Sequence, residues 1–463
     1  MNIRLRNIGI IKDSSVAIDG ITIITGKNNS GKSTFGKAVY SIVSTAENLY
    51  ENATRDIVDY AEDSITNRVR ANKMNMLFRG MLNYSFNNYS ALKDVYNHRF
   101  PKISSIPELK EYISFISSAV EGIDLNGDED LLKKSGLIND ENLENAKNEL
   151  SDDFDEVLRL IDKYSDFIEY EQRKLYHTLN AEFNKQITPV KLSDTTECQI
   201  SVQTTSGNCE IEINVKNYSL SYSDNLPLSE KDNVVFFDDA TIVDAIIPNK
   251  SYRNSFHFGD EDFQQYIDSS NHGIALLRKL SKKNTGIGAM VDEDRYREIE
   301  DLINTVINDD IVEKDRRYVF SSDNLELSNL ATGAKAFAVI KMLLMNGSIN
   351  KNTILILDEP ESHLHPEWQN IFAQLVALLV KKIGIKVILA SHSPNFVLAM
   401  QTYSIKYNLS EITNVYTTVR HEDGYRVDYK RVEDMTEVYA DFAKFFSQIK
   451  AKFDILRYGD DDD

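Results

Sequence analysis

The spacing of apolar and polar positions changes several times along this chain. Residues 2–25 read as three short strands: Ile3–Ile11, then Val16–Asp19 through a turn, then the unbroken apolar run Ile21–Thr25. From Ser33 the spacing is helical to about Gln186, interrupted at Pro101 and Pro107 and by an Asn126-Gly127-Asp128 loop. The longest predicted helix starts at the capping signal Asn139-Asp140-Glu141 and runs to about Asn184. Leu150, Phe154, Val157, Ile161, Tyr164, Ile168 and Leu175 lie on one stripe of it. Packing of that stripe on its own domain is preferred over a short coiled coil or a partner seam.

Beyond residue 196 the period shortens. Gln199–Gln203, Cys209–Val215, Tyr218–Ser223 and Val234–Asp238 alternate or run β-branched and aromatic, broken by Ser206-Gly207 and Asn225-Leu226-Pro227. They predict an antiparallel sheet. Helices follow at about Asp260–Leu280 and Asp292–Asn308, joined by an Asn284–Gly288 loop, and again at Ala336–Met345. Ile354–Leu357, Pro366–Lys382 and Lys386–Ala390 form strand, helix, strand, the alternation of a parallel α/β sheet. A hairpin (Asn414–Arg420 with Tyr425–Tyr429) and an amphipathic helix from about Met435 to Phe453 complete the pattern, and no internal repeat is visible.

Composition narrows the class. A chain of 463 residues, 42% hydrophobic and 27% charged, can bury one large core or two to three smaller ones. There is no basic-then-apolar leader and no run near the length of a membrane span, so a cytoplasmic protein without a membrane partner is expected. If Ser206-Gly207 closes a two-residue hairpin, Cys198 faces Val215 and Cys209 faces Thr204, which leaves both thiols free. A net charge of −20 repels nucleic acid at long range. The densest basic group, Arg68, Arg70, Lys73 and Arg79, reads equally well as a solvated helix face, and Asp460–Asp463 as a solubilising tail.

The chemistry concentrates in four stretches. Gly26-Lys27-Asn28-Asn29-Ser30-Gly31-Lys32-Ser33-Thr34 follows a predicted strand and opens a helix, the context that makes G-x-x-x-x-G-K-[ST] a phosphate cradle. Its glycines let consecutive N–H groups and the helix start face an anion. Lys32 would reach the terminal phosphates and Ser33 would ligate Mg²⁺. The buried strand Ile354–Leu357 ends in Asp358-Glu359, where Asp358 would hold Mg²⁺ through a water and Glu359 would polarise the attacking water. Val387–Ala390 leads to Ser391-His392-Ser393-Pro394, which puts His392 at a strand end within reach of a γ-phosphate. Leu327-Ser328-Asn329-Leu330-Ala331-Thr332-Gly333-Ala334-Lys335 is a small, hydroxyl- and glycine-containing helix start, a second anion site.

This order of motifs resembles the ABC-type ATPase superfamily. The text Asp358-Glu359-Pro360-Glu361-Ser362-His363-Leu364-His365-Pro366-Glu367-Trp368-Gln369, with the opening Leu5–Lys12 and Ser391–Pro394, resembles a narrower group. These are ATPases of the overcoming-lysogenization-defect class and the stand-alone ATPases of bacterial anti-phage systems such as Septu and PARIS. The resemblance covers roughly residues 1–45 and 320–450. It implies an α/β fold: an ABC-ATPase-type P-loop head split by a large, mainly helical insertion with an antiparallel β portion. Two heads would sandwich ATP and Mg²⁺. Gly26, Asn28, Asn29, Ser30, Gly31, Lys32, Ser33 and Thr34 would hold the nucleotide; Lys32, Glu359 and His392 would be catalytic; Ser33 and Asp358 would hold the metal. Ser328, Thr332 and Gly333 would act in trans. The chain departs from the pattern at Ala331, where a serine is usual, and no glutamine loop is evident; Phe236-Phe237-Asp238-Asp239 is the best place for its equivalent. The resemblance sets His363 and His365 at the dimer interface, a reading preferred to a metal pair, which would need a further ligand.

The expected divisions are 1–45 (first head part), 46–190 (helical insertion), 191–245 (antiparallel β segment), 246–320 (helical), 321–400 (second head part), 401–456 (hairpin and helix) and 457–463 (acidic tail). Members of the overcoming-lysogenization-defect class carry a Toprim nuclease, and no acidic constellation after Met400 fits one. The expected function is therefore a slow, regulatory Mg-ATPase that forms homodimers or larger homo-oligomers through its heads. It would control a separate effector, a nuclease or toxin. The alternative is a DNA-maintenance ATPase of the recombination-and-repair type, which the net charge disfavours. A transporter's energy-coupling subunit or a stand-alone nuclease fits less well.

Overall fold

The structure is a computed structural model that describes residues 1–72, 75, 90–97, 100–123, 140–188, 198–214, 219–246, 271–282 and 293–458. Contacts separate two compact units, one formed by described residues within 1–47, 175–246 and 271–458, the other within 48–174. The predicted loops at Asn126–Asp128 and Asn284–Gly288, the start of the Asp260–Leu280 helix, Lys73, Arg79 and Asp460–Asp463 lie outside the described residues.

The first unit is built on an eleven-stranded sheet, and the α/β class is as the sequence predicts. Its strands are β1 (Asn2–Ile8), β2 (Ile11–Ala17), β3 (Ile21–Thr25), β4 (Cys198–Gln203), β5 (Asn208–Asn214), β6 (Ser219–Tyr222), β7 (Asn233–Phe237), β10 (Thr353–Asp358), β11 (Lys386–Ser391), β12 (Thr413–Arg420) and β13 (Val427–Arg431). They are ordered β6-β5-β4-β1-β2-β13-β12-β3-β11-β10-β7. Pairing from β6 through β4 and β1 to β2 is antiparallel, whereas β12, β3, β11, β10 and β7 pair in parallel, so β7, expected in the antiparallel segment, instead lies beside β10, where burial on both faces suits its apolar run. The first hairpin turns earlier than its apolar run suggests: Asn7 and Gly9 adopt positive φ, β1 stops at Ile8, and Ile11 opens β2. A hairpin the sequence did not signal, β8 (Ile311–Lys314) with β9 (Arg317–Phe320), turns on left-handed Asp315 and Arg316.

Helices occur in both units. In chain order they are α1 (Lys32–Ala46), α2 (Leu49–Ala71), α3 (Ser90–Tyr96), α4 (Ile106–Glu121), α5 (Asp140–Tyr164), α6 (Phe167–Glu182), α7 (His272–Leu280), α8 (Glu293–Asn304), α9 (Thr332–Met345), α10 (Pro366–Leu378), α11 (Pro394–Lys406) and α12 (Met435–Tyr458). Helix α1 lies close on β7 and β10: a Cβ on its Gly36 would come 3.0 Å from Ile356 and 3.3 Å from Phe236. Proline opens α10 and α11 in the first turn, where its missing N–H costs no hydrogen bond. Pro107 likewise starts α4 rather than interrupting a helix.

The second unit is helical. Its core is the stripe Leu150, Phe154, Val157, Ile161 and Tyr164 packed with Ile57, Tyr60, Ile65, Leu109, Ile113 and Tyr170. The predicted 139–184 helix is two helices. Asp166 caps a new start by accepting a hydrogen bond from the Ile168 N–H at 3.1 Å, and the stripe ends there, leaving Ile168 45% exposed. Arg68 belongs to no open basic face: it is largely buried and paired with Asp153 and Glu156.

The cysteine register also differs from the simple hairpin. Gln203 pairs with Asn208, so the loop is 204–207, Cys198 faces Ile213, and Cys209 faces Val202. The Thr204 N–H bonds to the Gly207 carbonyl, which continues the pairing inward and centres the turn on Thr205-Ser206, one residue earlier than expected. Neither cysteine is in a disulfide, as expected; both are buried, and burial pushes the Cys198 thiol up to about 11. Among the described residues no helix is long and apolar enough to cross a membrane.

Candidate functional site

A parallel sheet collects chemistry at the carboxyl ends of its strands, because the loops there are free of the crossover helices' packing demands. Ser391 pairs with Thr25, Ala390 with Asp358, and Phe237 with Leu357. The ends of β3, β11, β10 and β7 therefore form one row, carrying in turn the 26–34 loop, His392, Asp358-Glu359 and Asp238.

The loop is fixed by close approach. A Cβ on Gly26 would fall 2.0 Å from Thr418 Oγ1, so no side chain fits there. Gly31 sits at φ 79° as the α1 N-cap, and the helix start has no side-chain cap. Asn29 takes a left-handed φ of 57°, a conformation asparagine tolerates. Ser30 Oγ and Thr25 Oγ1 are buried without hydrogen-bond partners. The Lys32 ammonium donates to the carbonyls of Gly26 (3.2 Å) and Lys27 (3.0 Å) and lies 3.5 Å from Glu359 Oε1. Asn28 and Thr34 hold their places in the same loop and first turn, with Thr34 N–H bonded to the Gly31 carbonyl.

Asp358 ends β10 against Ser33. Burial pushes its carboxyl above the usual range, the Ser33 hydroxyl opposes that by hydrogen bonding, and Oδ1 is buried with no partner. Glu359 turns the chain at φ 50°, a left-handed conformation costly for a residue with a side chain, and its N–H is held by the Ala390 carbonyl at 2.8 Å. Its carboxylate lies 3.0 Å from His392 Nδ1, in ion-pair range though without hydrogen-bond alignment. Lys32, Glu359 and His392 thus meet at one point, and Ser33 and Asp358 at another beside it.

These groups fit a magnesium nucleotide. A partnerless buried carboxylate oxygen calls for a cation, while an uncapped helix start and a lysine resting on backbone carbonyls suit polyanionic phosphates. Mg²⁺ keeps most of its waters and needs few protein ligands, so no all-protein cage is required. Among the described residues no cluster of three or more His, Cys, Asp or Glu side chains is arranged to hold a metal.

The stretch expected to form a second anion site lies elsewhere. Thr332 and Gly333, at the start of α9, line a cleft of about 450 Å³ with Ala331, His363, His365 and Trp368. A Cβ on Gly333 would come 3.0 Å from the His363 carbonyl and from the Trp368 ring, so the two stretches are locked together by that glycine. Ser328 is absent from the lining and turns its hydroxyl to Glu326 Oε2 at 3.4 Å. His365 Nδ1 is engaged as the α10 cap, accepting from the Glu367 N–H at 3.4 Å. None of the cleft's lining residues belongs to the 26–34 loop.

Several contributors escaped sequence reasoning. Tyr429 donates to the Gly31 carbonyl (2.5 Å) and Arg420 to the Asn29 carbonyl (3.1 Å), so the β12–β13 hairpin braces the phosphate loop from almost the other end of the chain. Glu361 is buried and accepts from Ser391, and burial raises its carboxyl. Asp238 was visible as a strand end, but its partners were not: His272 donates to Asp238 Oδ2 at 2.8 Å and to Glu182 Oε2 at 2.7 Å. Burial works against the His272 charge, yet these carboxylates outweigh it and raise the imidazole to about 9. No local pattern marks a lone histidine as such a bridge.

Among known proteins, a family model described as an AAA ATPase domain matches residues 1–397. No curated protein matches the chain. Among solved structures, the SMC head domain from Thermotoga maritima is similar with a TM-score of 0.34 and 11% identity, over 94% of this chain and 98% of that one. An Smc head bound to the C-winged helix domain of ScpA gives 0.41 and 9%, over 95% and 98%. An Smc head with an extended coiled coil, bound to the C-terminal domain of ScpA from Pyrococcus furiosus, gives 0.27 and 8%, over 97% and 98%. At these overlaps the likeness assigns no role to any residue.

Proposed function

The chain belongs to the AAA ATPase domain family, and from that premise we propose that it binds and slowly hydrolyses Mg-ATP. We further propose that ATP pairs two copies head to head, and that the pair governs a separate effector, a nuclease or toxin, in bacterial anti-phage defence. The observation that carries the ATPase reading is the convergence of Lys32, Ser33, Asp358, Glu359 and His392 on one sheet edge.

Each group has a task set by its chemistry. Lys32 exchanges the Gly26 and Lys27 carbonyls for phosphate oxygens, while the loop N–H groups and the α1 start hold the rest of the polyphosphate. Ser33 and Asp358 would hold Mg²⁺, which when bound neutralises charge on the terminal phosphates. Glu359 accepts the proton of the attacking water, and its strained backbone and neighbours Lys32 and His392 fix where that carboxylate points. His392 donates toward the γ-phosphate. The cleft at Thr332 and Gly333 is the surface for a second copy's nucleotide, with Ala331 contributing no hydroxyl. Support for the defence role is the resemblance of the 358–369 text to the anti-phage ATPases, including the overcoming-lysogenization-defect class and the Septu and PARIS systems.

The test uses Glu359→Gln. With Mg-ATP it should stop phosphate release while light scattering reports a dimer that disperses when nucleotide is removed. Undiminished turnover refutes the role of Glu359, and a monomer at saturating ATP refutes the sandwich. Co-purification with a neighbouring nuclease or toxin tests the effector role. DNA-stimulated hydrolysis with salt-dependent DNA affinity would instead favour the DNA-maintenance reading, against the −20 charge.

A further inference from the structure

We propose that Glu361 is a positioning residue for ATP hydrolysis: through Ser391 and Ser393 its buried carboxyl group fixes the turn that carries His392. This rests on the Mg-ATP reading above.

Glu361 lies three residues past the end of β10, in the turn that Glu359 opens. The Glu359 carbonyl accepts from the Ser362 N–H (3.0 Å) and hydroxyl (2.7 Å), and the Glu361 carbonyl accepts from the Leu364 N–H at 3.0 Å. The two acidic side chains of this turn do different things. That of Glu359 is 32% exposed and lies beside Lys32 and His392, whereas Glu361 is buried.

The Glu361 carboxyl reaches the end of β11. Ser391, wholly buried there, donates its hydroxyl to Glu361 Oε1, and the same hydroxyl oxygen accepts from the Ser393 N–H at 3.1 Å. Ser393 then caps α11, accepting from the Phe396 N–H at 3.3 Å. A serine hydroxyl has a single proton to give. Committing it to Glu361 aims the Ser391 lone pairs, and one of them takes the Ser393 N–H. His392 is the residue between these two serines, so both of its neighbours are held through one carboxyl group. Its own ring is held less well: Nδ1 is 3.0 Å from Glu359 Oε1 but has no aligned hydrogen bond. The turn on either side of it therefore decides where the imidazole can reach.

Stability alone does not account for an acid at this position. Glu361 Oε2 is buried with no hydrogen-bond partner, and burial raises the carboxyl against the single opposing bond from Ser391. A buried polar group so incompletely satisfied costs the fold more than an apolar side chain of similar volume would. What the carboxyl supplies that methionine could not is an acceptor for the Ser391 hydroxyl.

The experiment measures turnover with γ-labelled ATP, fluorescent-ATP affinity by anisotropy, and Tm. Glu361→Met keeps roughly the volume and removes the acceptor. It should lower turnover per folded molecule by about tenfold, with affinity within about twofold and Tm unchanged or higher. Glu361→Gln, whose amide oxygen can still accept from Ser391, should stay within about threefold of the unaltered chain. The deciding comparison repeats Glu361→Met in a His392→Ala background. There it should cost less than about twofold, because the ring through which it acts is gone. Ser391→Ala gives an independent arm and should show the same loss with the same dependence on His392. An equal loss in both backgrounds, or turnover unmoved by Glu361→Met, overturns the proposal while the Mg-ATP reading stands. So does a loss that only follows a lower Tm, as a merely structural acid would give. If Lys32→Ala binds nucleotide as well as the unaltered chain, the Mg-ATP reading itself fails and takes this proposal with it.

Discussion

β4 and β10 belong to one sheet, yet they bury their side chains differently. β4, β5 and β1 alternate inward and outward, with Ile200, Val202, Ile211, Ile3 and Leu5 on the buried face and polar residues opposite. β3, β7, β10 and β11 are buried along nearly their whole length, because helices cover both faces. In the antiparallel half short turns join β1 to β2 and β4 to β5. In the parallel half the strand ends hold several partnerless or strained groups, among them Asp358, Glu359, Ser30 and Thr25. Covering both faces leaves one exposed edge, and that edge is where polar groups can be fixed without burying them in the core.

If that contrast is right, substitutions in the two halves should separate stability from turnover. The largest effect belongs to Glu359→Gln, which should reduce phosphate release by about a thousandfold while Tm moves by no more than about 2 °C. A large loss of Tm would mean the parallel edge is structural after all. In the antiparallel half, Ile200→Ala should cost about 3 kcal/mol in denaturant unfolding, since Ile200 is wholly buried, and leave turnover per folded molecule unchanged. Lost turnover at full stability would erase the distinction between the halves.

Smaller effects sharpen it further. Asp358→Asn should stabilise the nucleotide-free protein by about 1 kcal/mol, seen as a higher Tm without Mg²⁺, because it removes a carboxylate that burial already disfavours. The gain should vanish or reverse with Mg-ATP present. Tyr429→Phe deletes the hydrogen bond to the Gly31 carbonyl and should weaken nucleotide binding by only a few-fold, about 1 kcal/mol or less. An effect as large as that at Lys32 would make the β12–β13 hairpin part of the phosphate site rather than its brace.

Much of the fold was legible where one period held over a long stretch. The Ile21–Thr25 run, the Ile354–Leu357 run and the stripe from Leu150 to Tyr164 appear as read, since burial on both faces or on one stripe leaves a clear trace. Errors fell where a short polar contact decided the backbone. Asp166 restarts a helix through one hydrogen bond, the Thr204–Gly207 bond shifts a turn by one residue, and left-handed Asp315 and Arg316 close a hairpin with no glycine to announce it. Hydrophobic period does not register such contacts.

The sequence by itself determined that a phosphate-binding loop, an acidic strand end and a histidine-bearing strand end exist, because each depends on residue types at fixed local spacing. Only the tertiary structure decided which groups meet. Strand order brings the 26–34 loop, His392, Glu359 and Asp238 into one row, although they come from residues hundreds of positions apart. It also pairs His272 with Glu182 and Asp238, and lays Tyr429 under Gly31. The physical reason is that parallel pairing is settled by crossover helices and packing of both sheet faces, which are global properties of the chain, and no window of local sequence contains them.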